Sequence, residues 1–501
     1  MRREPWPNTN CEIHIDGIRR APAPDGLHLN EISGNLAITI SGPRPISTLT
    51  LVWKVDNSNV TLVLGDAWER GYGDLQWAPI DPARTMPWYV VLRTPTGFTA
   101  FGAKTRPNAL VSWNITQTEV QVTFDLRSGR RPLALGEREL AIGELVNLES
   151  KPEESAFEFV GRLCSALCEN PRILSSPVYG ANDWYYAYGN NSRDGILADT
   201  HRTATWAGTN PNRPYSVIDA GWQINGGCEG GPWIGNERFG NMGHLADQIR
   251  EAGCRPGIWI RPLLTREDVP THWLMRDQTL DPSQPEALQK AVECIAQCAA
   301  WGYDLIKHDF TTWDCTRLWG FEMDATRHAE GGDFADDTRT SAEIYLALYD
   351  AIRAAAGESV LIGCNTWGHL TAGTHEIQRT GDDTSGKEWA RTLKMGVNTL
   401  AFRAVQHNRF FAADADCVGL TDQIPWQLNS QWLHAVAASG TPLFVSANAK
   451  ALTPEIESAL ANAFTLAAEP MPLAEPLDWM DTLTPANWKQ GSEVQSYNWT
   501  P

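Results

Sequence analysis

The sequence predicts an α/β protein in which an N-terminal antiparallel β-sandwich precedes a (β/α)8 barrel, the TIM-barrel architecture. Up to about residue 150, short apolar runs are separated by Gly, Pro, Asn and Asp without helical periodicity, which is typical of antiparallel strands. From about residue 176, strand-length apolar runs alternate with amphipathic helical stretches, as in consecutive βα units. The predicted organisation is a sandwich at 1–150, a linker helix at 151–175, a barrel at 176–450, and the last barrel helix with a C-terminal tail at 451–501.

Six apolar runs of strand length stand out in the N-terminal domain. They are Ile13–Ile15, Leu36–Ile40, Leu49–Trp53, Val60–Leu64, Trp88–Leu92 and Val120–Phe124. The polar and aromatic segment 65–71 is either a surface turn, which is the commoner case, or a loop that reaches a neighbouring active site. A helix is predicted near Glu154–Cys168, because apolar residues recur there at helical spacing.

The barrel region contains eight strand candidates. They are Val178–Trp184, Tyr215–Asp219, Arg255–Ile260, Asp304–Asp309, Val360–Cys364, Glu376–Gly381, Thr399–Arg403 and Pro442–Val445. Between them, Thr340 and Glu343 form a capping box before a helix that stops at Gly357, and Pro454–Ala467 is the predicted last helix. A doubly wound sheet would need a Gly-rich dinucleotide turn after its first strand, and residues 180–183 do not supply one. The pattern therefore favours the barrel.

Charge and composition exclude several classes of partner. The chain of 501 residues carries 60 acidic and 41 basic residues, and its net charge of −19 argues against nucleic acid and anionic membranes. No apolar stretch reaches membrane-spanning length, and Met1–Trp6 lacks the apolar segment of a secretory signal. The ten cysteines form no CxxC pair and are predicted to be reduced thiols. A cytoplasmic protein is predicted, unless a leader has been removed, and its oligomeric state stays open.

The run that ends in Lys307-His308-Asp309 carries the first candidate for chemistry. Lys307 and Asp309 are two residues apart, so on a strand their side chains point to the same face. A lysine beside an aspartate favours the ionised carboxylate that a nucleophile requires. An ordinary buried Lys–Asp pair would look the same, and these two residues taken alone do not separate the two readings.

The C-terminal ends of barrel strands hold the active site in this fold, so the ends of the first seven strands are considered together. They carry carboxylates, an amide, arginines and indoles, without metal-ligand spacing, a phosphate loop or a serine nucleophile, and no cofactor or metal is predicted. Hydroxyl-binding groups around indole rings suit a sugar, and carboxylates on two strands suit cleavage of a glycosidic bond. The candidates beside Lys307 and Asp309 are Asp183, Trp184, Asp219, Trp222, Trp259, Asn365, Trp367, Arg379, Asp382, Asp383, Arg403, His407, Arg409, Asp414 and Asp416.

These segments resemble the α-galactosidase (melibiase) group, glycoside hydrolase families 27 and 36, and more distantly family 31. Lys307–Asp309 resembles their Lys-aromatic-Asp nucleophile motif, with His in the middle, and Asp219–Trp222 resembles their Asp-Asp-Gly-Trp sugar-binding motif. Cys364–Gly368 resembles their Cys-Glu-Trp-Gly segment with one inserted residue, and Asp414–Cys417 resembles Asn-Asp-Pro-Asp-Met/Cys. The likeness covers residues 176–450, and the preceding sandwich agrees with family 36, whose usual C-terminal β-domain has no match here.

The resemblance implies a retaining exo-α-glycosidase with Asp309 as the nucleophile and a glycoside or oligosaccharide as substrate, an α-galactoside first. In family 27 the acid/base lies four residues after a sugar-binding arginine, which selects Asp383 after Arg379. The pattern of families 31 and 36 selects Asp382 after Gly381. We favour Asp383, because Arg379 and the Asp414–Cys417 segment look more like the first group.

Two departures from the family pattern bear on the substrate. Ala220 replaces the second aspartate of the sugar-binding pair, and Asn365 replaces the glutamate after the fifth strand. Either Asp183 or Asp66 supplies the missing hydrogen-bond acceptor, or the preferred sugar lacks a hydroxyl at that point. A transglycosylase and a non-catalytic sugar-binding barrel are the alternatives to a hydrolase.

Overall fold

Two antiparallel six-stranded sheets form the N-terminal domain in the computed structural model, which describes residues 11–501. The interpretation of Met1–Trp6 lies outside the described residues. The strands alternate between inward and outward side chains; in the strand Asn35–Ile40, for example, Leu36, Ile38 and Ile40 are buried against the other sheet. The predicted sandwich is therefore confirmed. Its strands are β1 (Cys11–Ile15), β2 (Ile18–Arg20), β3 (Leu27–Ile32), β4 (Asn35–Ile40), β5 (Thr48–Lys54), β6 (Leu62–Gly65), β7 (Met86–Pro87), β8 (Tyr89–Thr94), β9 (Gly97–Ala103), β10 (Leu110–Ile115), β11 (Glu119–Asp125) and β12 (Leu140–Glu149).

The order of strands is β2-β1-β5-β11-β10-β7 in one sheet and β3-β4-β12-β9-β8-β6 in the other. A single helix, α1 (Ala156–Leu167), follows the sandwich and begins with a capping box between Ser155 and Glu158. It contacts β9 and β12 on one side and the turn 404–406 of the second domain on the other. The linker helix thus holds the two domains together.

The second domain is a closed parallel barrel. Its strands, together with one small antiparallel hairpin (β16 and β17), are β13 (Tyr179–Asn182), β14 (Tyr215–Ile218), β15 (Arg255–Ile260), β16 (Leu274–Arg276), β17 (Thr279–Leu280), β18 (Leu305–His308), β19 (Val360–Gly363), β20 (Ile377–Arg379), β21 (Ala412–Asp414), β22 (Cys417–Leu420) and β23 (Leu443–Ala447). The barrel order is β21-β20-β19-β18-β15-β14-β13-β23-β22, and every pair in it is parallel. β21 and β22 are two halves of the seventh strand, and one half pairs with the sixth strand while the other pairs with the eighth.

The helices around the barrel follow their predicted signals closely. The capping box of Thr340 and Glu343 starts the helix Ser341–Ala356, and the predicted last helix has the observed bounds. The helices after α1 are α2 (Trp184–Ala187), α3 (Arg193–Ala207), α4 (Met242–Glu251), α5 (Pro285–Ala300), α6 (Thr311–Thr316), α7 (Ser341–Ala356), α8 (Gly368–Thr371), α9 (Trp389–Thr392), α10 (Thr399–Arg403), α11 (Trp426–Ala438) and α12 (Pro454–Ala467).

The prediction of the seventh strand was wrong. Thr399–Arg403 is helical and continues the π-helical segment Leu393–Asn398, because a short apolar run has no periodicity that separates a strand from a buried helix. The actual strand is interrupted by Ala415 and Asp416, where the backbone of Asp416 adopts a left-handed conformation with φ of 71°. Two aspartates within the strand hid it from a search for apolar runs.

The C-terminal tail forms a small antiparallel sheet of β24 (Glu475–Pro476), β25 (Asn487–Gln490) and β26 (Glu493–Ser496). Trp479 packs against Trp77 of the sandwich and Phe157 of α1. Trp389 of the barrel donates a hydrogen bond from its indole nitrogen to the carbonyl of Trp499. The tail therefore packs against both the barrel and the first domain. Among the described residues no helix is long and apolar enough to cross a membrane, and all ten cysteines are free thiols.

Candidate active site

A cleft with about 430 Å³ of empty space opens at the C-terminal ends of the barrel strands. Seven of the predicted site residues line it, and they belong to the ends of five strands. Its lining residues are Arg70, Trp184, Asp219, Cys228, Trp259, Lys307, Asp309, Phe310, Trp319, Asp382 and Asp383.

Asp309 follows β18 directly and is held by two N–H donors. The indole nitrogen of Trp259 donates to Oδ2 over 3.1 Å, and the backbone nitrogen of Phe310 donates to Oδ1 over 2.7 Å. Phe310 itself adopts a left-handed conformation with φ of 63°, which is uncommon for an aromatic residue, and its ring packs under the guanidinium group of Arg261. The two donors stabilise the negative charge of Asp309 and fix the direction of its oxygens.

Lys307 binds Asp219 rather than Asp309, which corrects the pairing predicted from the sequence. Its Nζ lies 2.7 Å from Asp219 Oδ2, which also accepts a hydrogen bond from Asn182, and Asp219 Oδ1 accepts one from the backbone of Ala220. Burial is the largest single influence and opposes the charged amine, but the surrounding negative charges, that of Asp219 first, together raise the pKa of Lys307 well above its ordinary value. Asp309 acts on Lys307 only as a more distant charge.

Asp382 and Asp383 follow β20 after a glycine that the packing requires, since a Cβ at Gly381 would lie 2.1 Å from the carbonyl oxygen of Met395. Asp382 is tied at both oxygens: Oδ1 lies 3.1 Å from Arg70 Nη1, and Oδ2 accepts a hydrogen bond of 2.6 Å from Arg391. The side chain of Asp382 is 20% exposed, whereas that of Asp383 is 37% exposed. Asp383 is therefore the more accessible carboxylate.

Asp383 contacts two arginines through the same oxygen. Its Oδ1 lies 3.3 Å from Arg379 Nη2 and 3.9 Å from Arg70 Nη1. Burial raises the pKa of the Asp383 carboxyl, but the charges of Arg379 and Arg70, followed by those of Lys307 and Arg391, outweigh burial and hold the pKa below its usual range.

The break in the seventh strand supports Arg379. Asp416 Oδ2 lies 2.7 Å from Arg379 Nη2 and also accepts hydrogen bonds from the hydroxyl group of Tyr185 and the backbone of Thr384. Asp414 does not line the cleft; its Oδ1 accepts the backbone N–H of Asp416, and burial raises its pKa to about 6. The predicted role of Asp414 in binding substrate is replaced by a role in shaping this strand.

Three predicted substrate-binding residues lie away from the cleft. Trp222 is buried and donates its indole N–H to the carbonyl of Trp259, and Trp367 packs against Trp68 in the interface between the domains. Arg409 lies against Gly161 of α1 and donates to a carbonyl within its own turn. Large aromatic and arginine side chains serve in packing as readily as in binding, and sequence position alone does not distinguish the two uses.

Asp183 and Asp66 are also fully engaged by the protein. Asp183 Oδ1 accepts the backbone N–H of Asp219 over 2.7 Å, and Oδ2 accepts a hydrogen bond from Asn191. Burial and the nearby charge of Asp219 raise the pKa of Asp183 to about 7. Asp66 accepts hydrogen bonds from Arg403 and from Gln406. Neither residue lines the cleft.

The sandwich segment 65–71 reaches the active-site cleft, so its alternative interpretation as a surface turn was wrong. The backbone of Gly71 pairs with the segment after β20: its N–H donates to Thr380 and its carbonyl accepts from Asp382. The fully buried Glu69 accepts hydrogen bonds from the backbone of Gly320 and from the side chain of Asn365. Asn365 thus anchors this loop instead of lining the cleft, and the loop places Arg70 inside it.

The structure adds further lining residues that the sequence did not single out. Trp319, which follows α6, stacks on Trp313 with ring centroids 4.4 Å apart, and it lines the cleft, as Trp184 does. Cys228 also lines the cleft; burial, together with the charges of Asp309 and Asp219, raises the pKa of its thiol to about 12. The only signal for these positions is their place in the loops after the second and fourth strands.

Comparison with known proteins shows which solved structures share this fold. No protein-family model matches the chain, and no curated protein matches it. Among solved structures, the chain is similar to TtGalA, an α-galactosidase from Thermus thermophilus determined in complex with p-nitrophenyl α-D-galactopyranoside: the identity is 18%, the match covers 94% of this chain and 99% of that chain, and the TM-score is 0.63.

Two further structures share the fold. The GH36 α-galactosidase AgaA from Geobacillus stearothermophilus is 14% identical over 91% of this chain and 72% of that chain, with a TM-score of 0.58. The α-galactosidase from Lactobacillus brevis is 15% identical over 86% of this chain and 63% of that chain, with a TM-score of 0.59. The fold implied by the family resemblance, an N-terminal sandwich followed by a TIM barrel, is therefore confirmed.

Proposed function

We propose that the protein is a retaining exo-α-glycosidase that hydrolyses terminal α-glycosides through a covalent glycosyl-enzyme. The observation that carries the proposal is one small cleft that is lined both by Asp309 and by the carboxylates of Asp382 and Asp383 from a different strand. The similar structures reported above are α-galactosidases, one of them determined in complex with a nitrophenyl galactoside and with the oligosaccharide stachyose, which supports a galactoside as the first substrate to test.

In the first step, Asp309 attacks the anomeric carbon while Asp383 donates its proton to the glycosidic oxygen. The bond between that carbon and oxygen breaks, the aglycone leaves as an alcohol, and an ester joins the sugar to Asp309. In the second step, Asp383 accepts a proton from water as the water oxygen attacks the same carbon. The ester bond then breaks, the sugar leaves, and both carboxyl groups return to their starting forms.

Asp383 is the better acid/base candidate of the two neighbouring carboxylates. A group that exchanges protons with substrate and water needs access to both, and Asp383 is the more exposed. Asp382 is bound at both oxygens by Arg70 and Arg391, which leaves neither oxygen free to contact the glycosidic oxygen or water. The arginine spacing that favours Asp383 in the sequence agrees with this geometry.

The sugar itself would be bound by the cluster around Lys307 and Asp219. Ala220 offers no side-chain acceptor, and Asp183 and Asp66 are both occupied by N–H donors of the protein. These contacts favour a sugar without a hydroxyl at that point over replacement of the lost acceptor. A β-L-arabinopyranoside, which is configured like galactose but lacks the 6-hydroxyl, is therefore a candidate beside the α-galactoside.

A panel of nitrophenyl glycosides tests the proposal: α-galactoside, α-glucoside, α-N-acetylgalactosaminide and β-L-arabinopyranoside. We expect hydrolysis of the first or the last, with Asp309→Ala as the inactive control. A clear preference for the α-glucoside would overturn the choice of sugar while leaving Asp309 in place. A folded protein that cleaves none of the four would overturn the hydrolase and favour a transglycosylase or a sugar-binding barrel.

A cytoplasmic location, which suits the ten free thiols, belongs to the same proposal and is tested by cell fractionation.

A further inference from the structure

Arg70 is a charged residue of the sandwich that ends inside the cleft of the barrel. Its side chain is 4% exposed, and its Nη1 lies 3.1 Å from Asp382 Oδ1 and 3.9 Å from Asp383 Oδ1. Its guanidinium carbon also lies 5.4 Å from the ring centre of Trp319. One arginine thus contacts both carboxylates that compete for the role of acid/base.

The loop that carries Arg70 is fixed on both sides of it. Glu69 is bound to the loops after β18 and β19 through Gly320 and Asn365, and Gly71 pairs with Thr380 and Asp382 by backbone hydrogen bonds. The guanidinium group therefore stands in place before a ligand arrives, and its position depends on docking of the sandwich against the barrel.

Several charged or titratable groups face Asp383. The positive ones are Arg379 on β20, Arg70 on the sandwich loop, Lys307 on β18 and Arg391 on α9. Tyr185 and Cys228 are neutral neighbours whose own pKa values are raised, first by burial and then partly by the charge of Asp383, and Asp382 is the adjacent residue. Arg379 is also bound to Asp416, which shares its charge. Within residues 11–501, Arg70 forms its other ion pair with Asp382, and the buried carboxylate of Glu69 acts on it as a further negative charge.

We propose that Arg70 is a positioning residue for acid/base catalysis: it holds Asp382 in an ion pair, leaves Asp383 as the carboxyl group that exchanges protons, and sets the pH at which it does so. The inference rests on the proposed function, because it assigns a role within that reaction. It makes the sandwich a part of the catalytic machinery, through one guanidinium group, rather than an appended module.

The sign of the expected effect follows from the reaction. The first step needs protonated Asp383, so kcat/KM falls as pH rises through the pKa of this group. Removing the charge of Arg70 removes a cause that lowers this pKa, so the alkaline limb of the profile moves to higher pH. A unit charge about 4 Å away contributes about 1 kcal/mol even in bulk water and more in a partly buried site, so the shift is about one pH unit or more.

The test compares pH profiles of kcat/KM on the best nitrophenyl glycoside. Two neutral variants, Arg70→Gln and Arg70→Met, are used so that at least one folded protein is available, with the fold checked by near-ultraviolet circular dichroism. We expect either variant to move the alkaline limb up by about one unit, and Arg70→Lys, which keeps the charge, to stay close to the wild type. Arg391→Gln is the matched control, since it removes the other arginine of Asp382 without a contact to Asp383, and it should shift the limb less. A limb that does not move in a folded neutral variant would overturn the proposal.

A second measurement does not depend on turnover. The carboxyl 13C resonance of Asp383, identified by its loss in Asp383→Asn, is titrated in the wild type and in Arg70→Gln. A midpoint about one unit higher in the variant supports the proposal, and an unchanged midpoint overturns it even if no tested glycoside is a substrate. Failure of the proposed function would instead show as an inactive wild type, so the two failures are distinguishable.

Discussion

Asp219→Asn should be among the most damaging single substitutions in the cleft, because it leaves Lys307 charged, buried and without its closest partner. The ammonium group lies 2.7 Å from Asp219 Oδ2, and the two side chains are 11% and 4% exposed. Removing one member of a buried ion pair typically costs about 3–5 kcal/mol, whereas replacing both by groups of similar volume costs much less. Since Lys307 still feels the more distant charge of Asp309, we expect the lower part of that range, about 3 kcal/mol.

The assay is urea unfolding followed by near-ultraviolet circular dichroism, with the change in midpoint converted through the shared slope. The double variant Asp219→Asn with Lys307→Met is the control and should recover most of the lost free energy of unfolding, while remaining inactive. A single variant that loses less than about 1 kcal/mol, or a double variant as unstable as the single one, would refute the argument that this pair is held by mutual neutralisation in a buried site.

Four further outcomes are expected. Asp309→Ala should stay folded with almost no turnover, and a slow fluorinated α-glycoside should label the wild type on a peptide containing Asp309; label on another carboxylate would contradict the assignment. Asp383→Ala should retain activity on substrates with good leaving groups and recover rate with azide, and if only Asp382→Ala behaves in this way, Asp382 is the acid/base. Trp319→Ala should raise KM for oligosaccharides at least severalfold while changing kcat little, since stacking of a sugar ring on an indole face contributes about 1 kcal/mol or more. An unchanged KM would exclude Trp319 from substrate binding. Cys228, whose thiol has a pKa of about 12, should react with iodoacetamide slowly at pH 8 and faster as pH rises and thiolate forms, as intact mass would show.

Much of the fold was predictable because the signals are local. The helix Ser341–Ala356 begins after a capping box whose two members are three residues apart, and the helix Pro454–Ala467 begins at a proline after Thr453. The strand that precedes Asp309 is a short, fully buried run, as parallel barrel strands are. The seventh strand could not be found as an apolar run, because it is interrupted by Asp416. The backbone of Asp416 is left-handed, a conformation that glycine or asparagine adopts more commonly.

The candidate site also has features that the sequence predicts and features that it does not. The sequence by itself determined which groups stand at the ends of the strands, among them Asp309 and Asp383, because strand ends follow from local patterns and a barrel gathers those ends on one face. Only the tertiary structure decided that Lys307 binds Asp219, that Asp183 accepts the backbone N–H of Asp219, and that Arg70 enters the cleft from another domain. These partners lie tens to hundreds of residues apart in the chain. Their pairing depends on how strands and domains pack in space, and packing leaves no fixed spacing in the sequence from which it could be read.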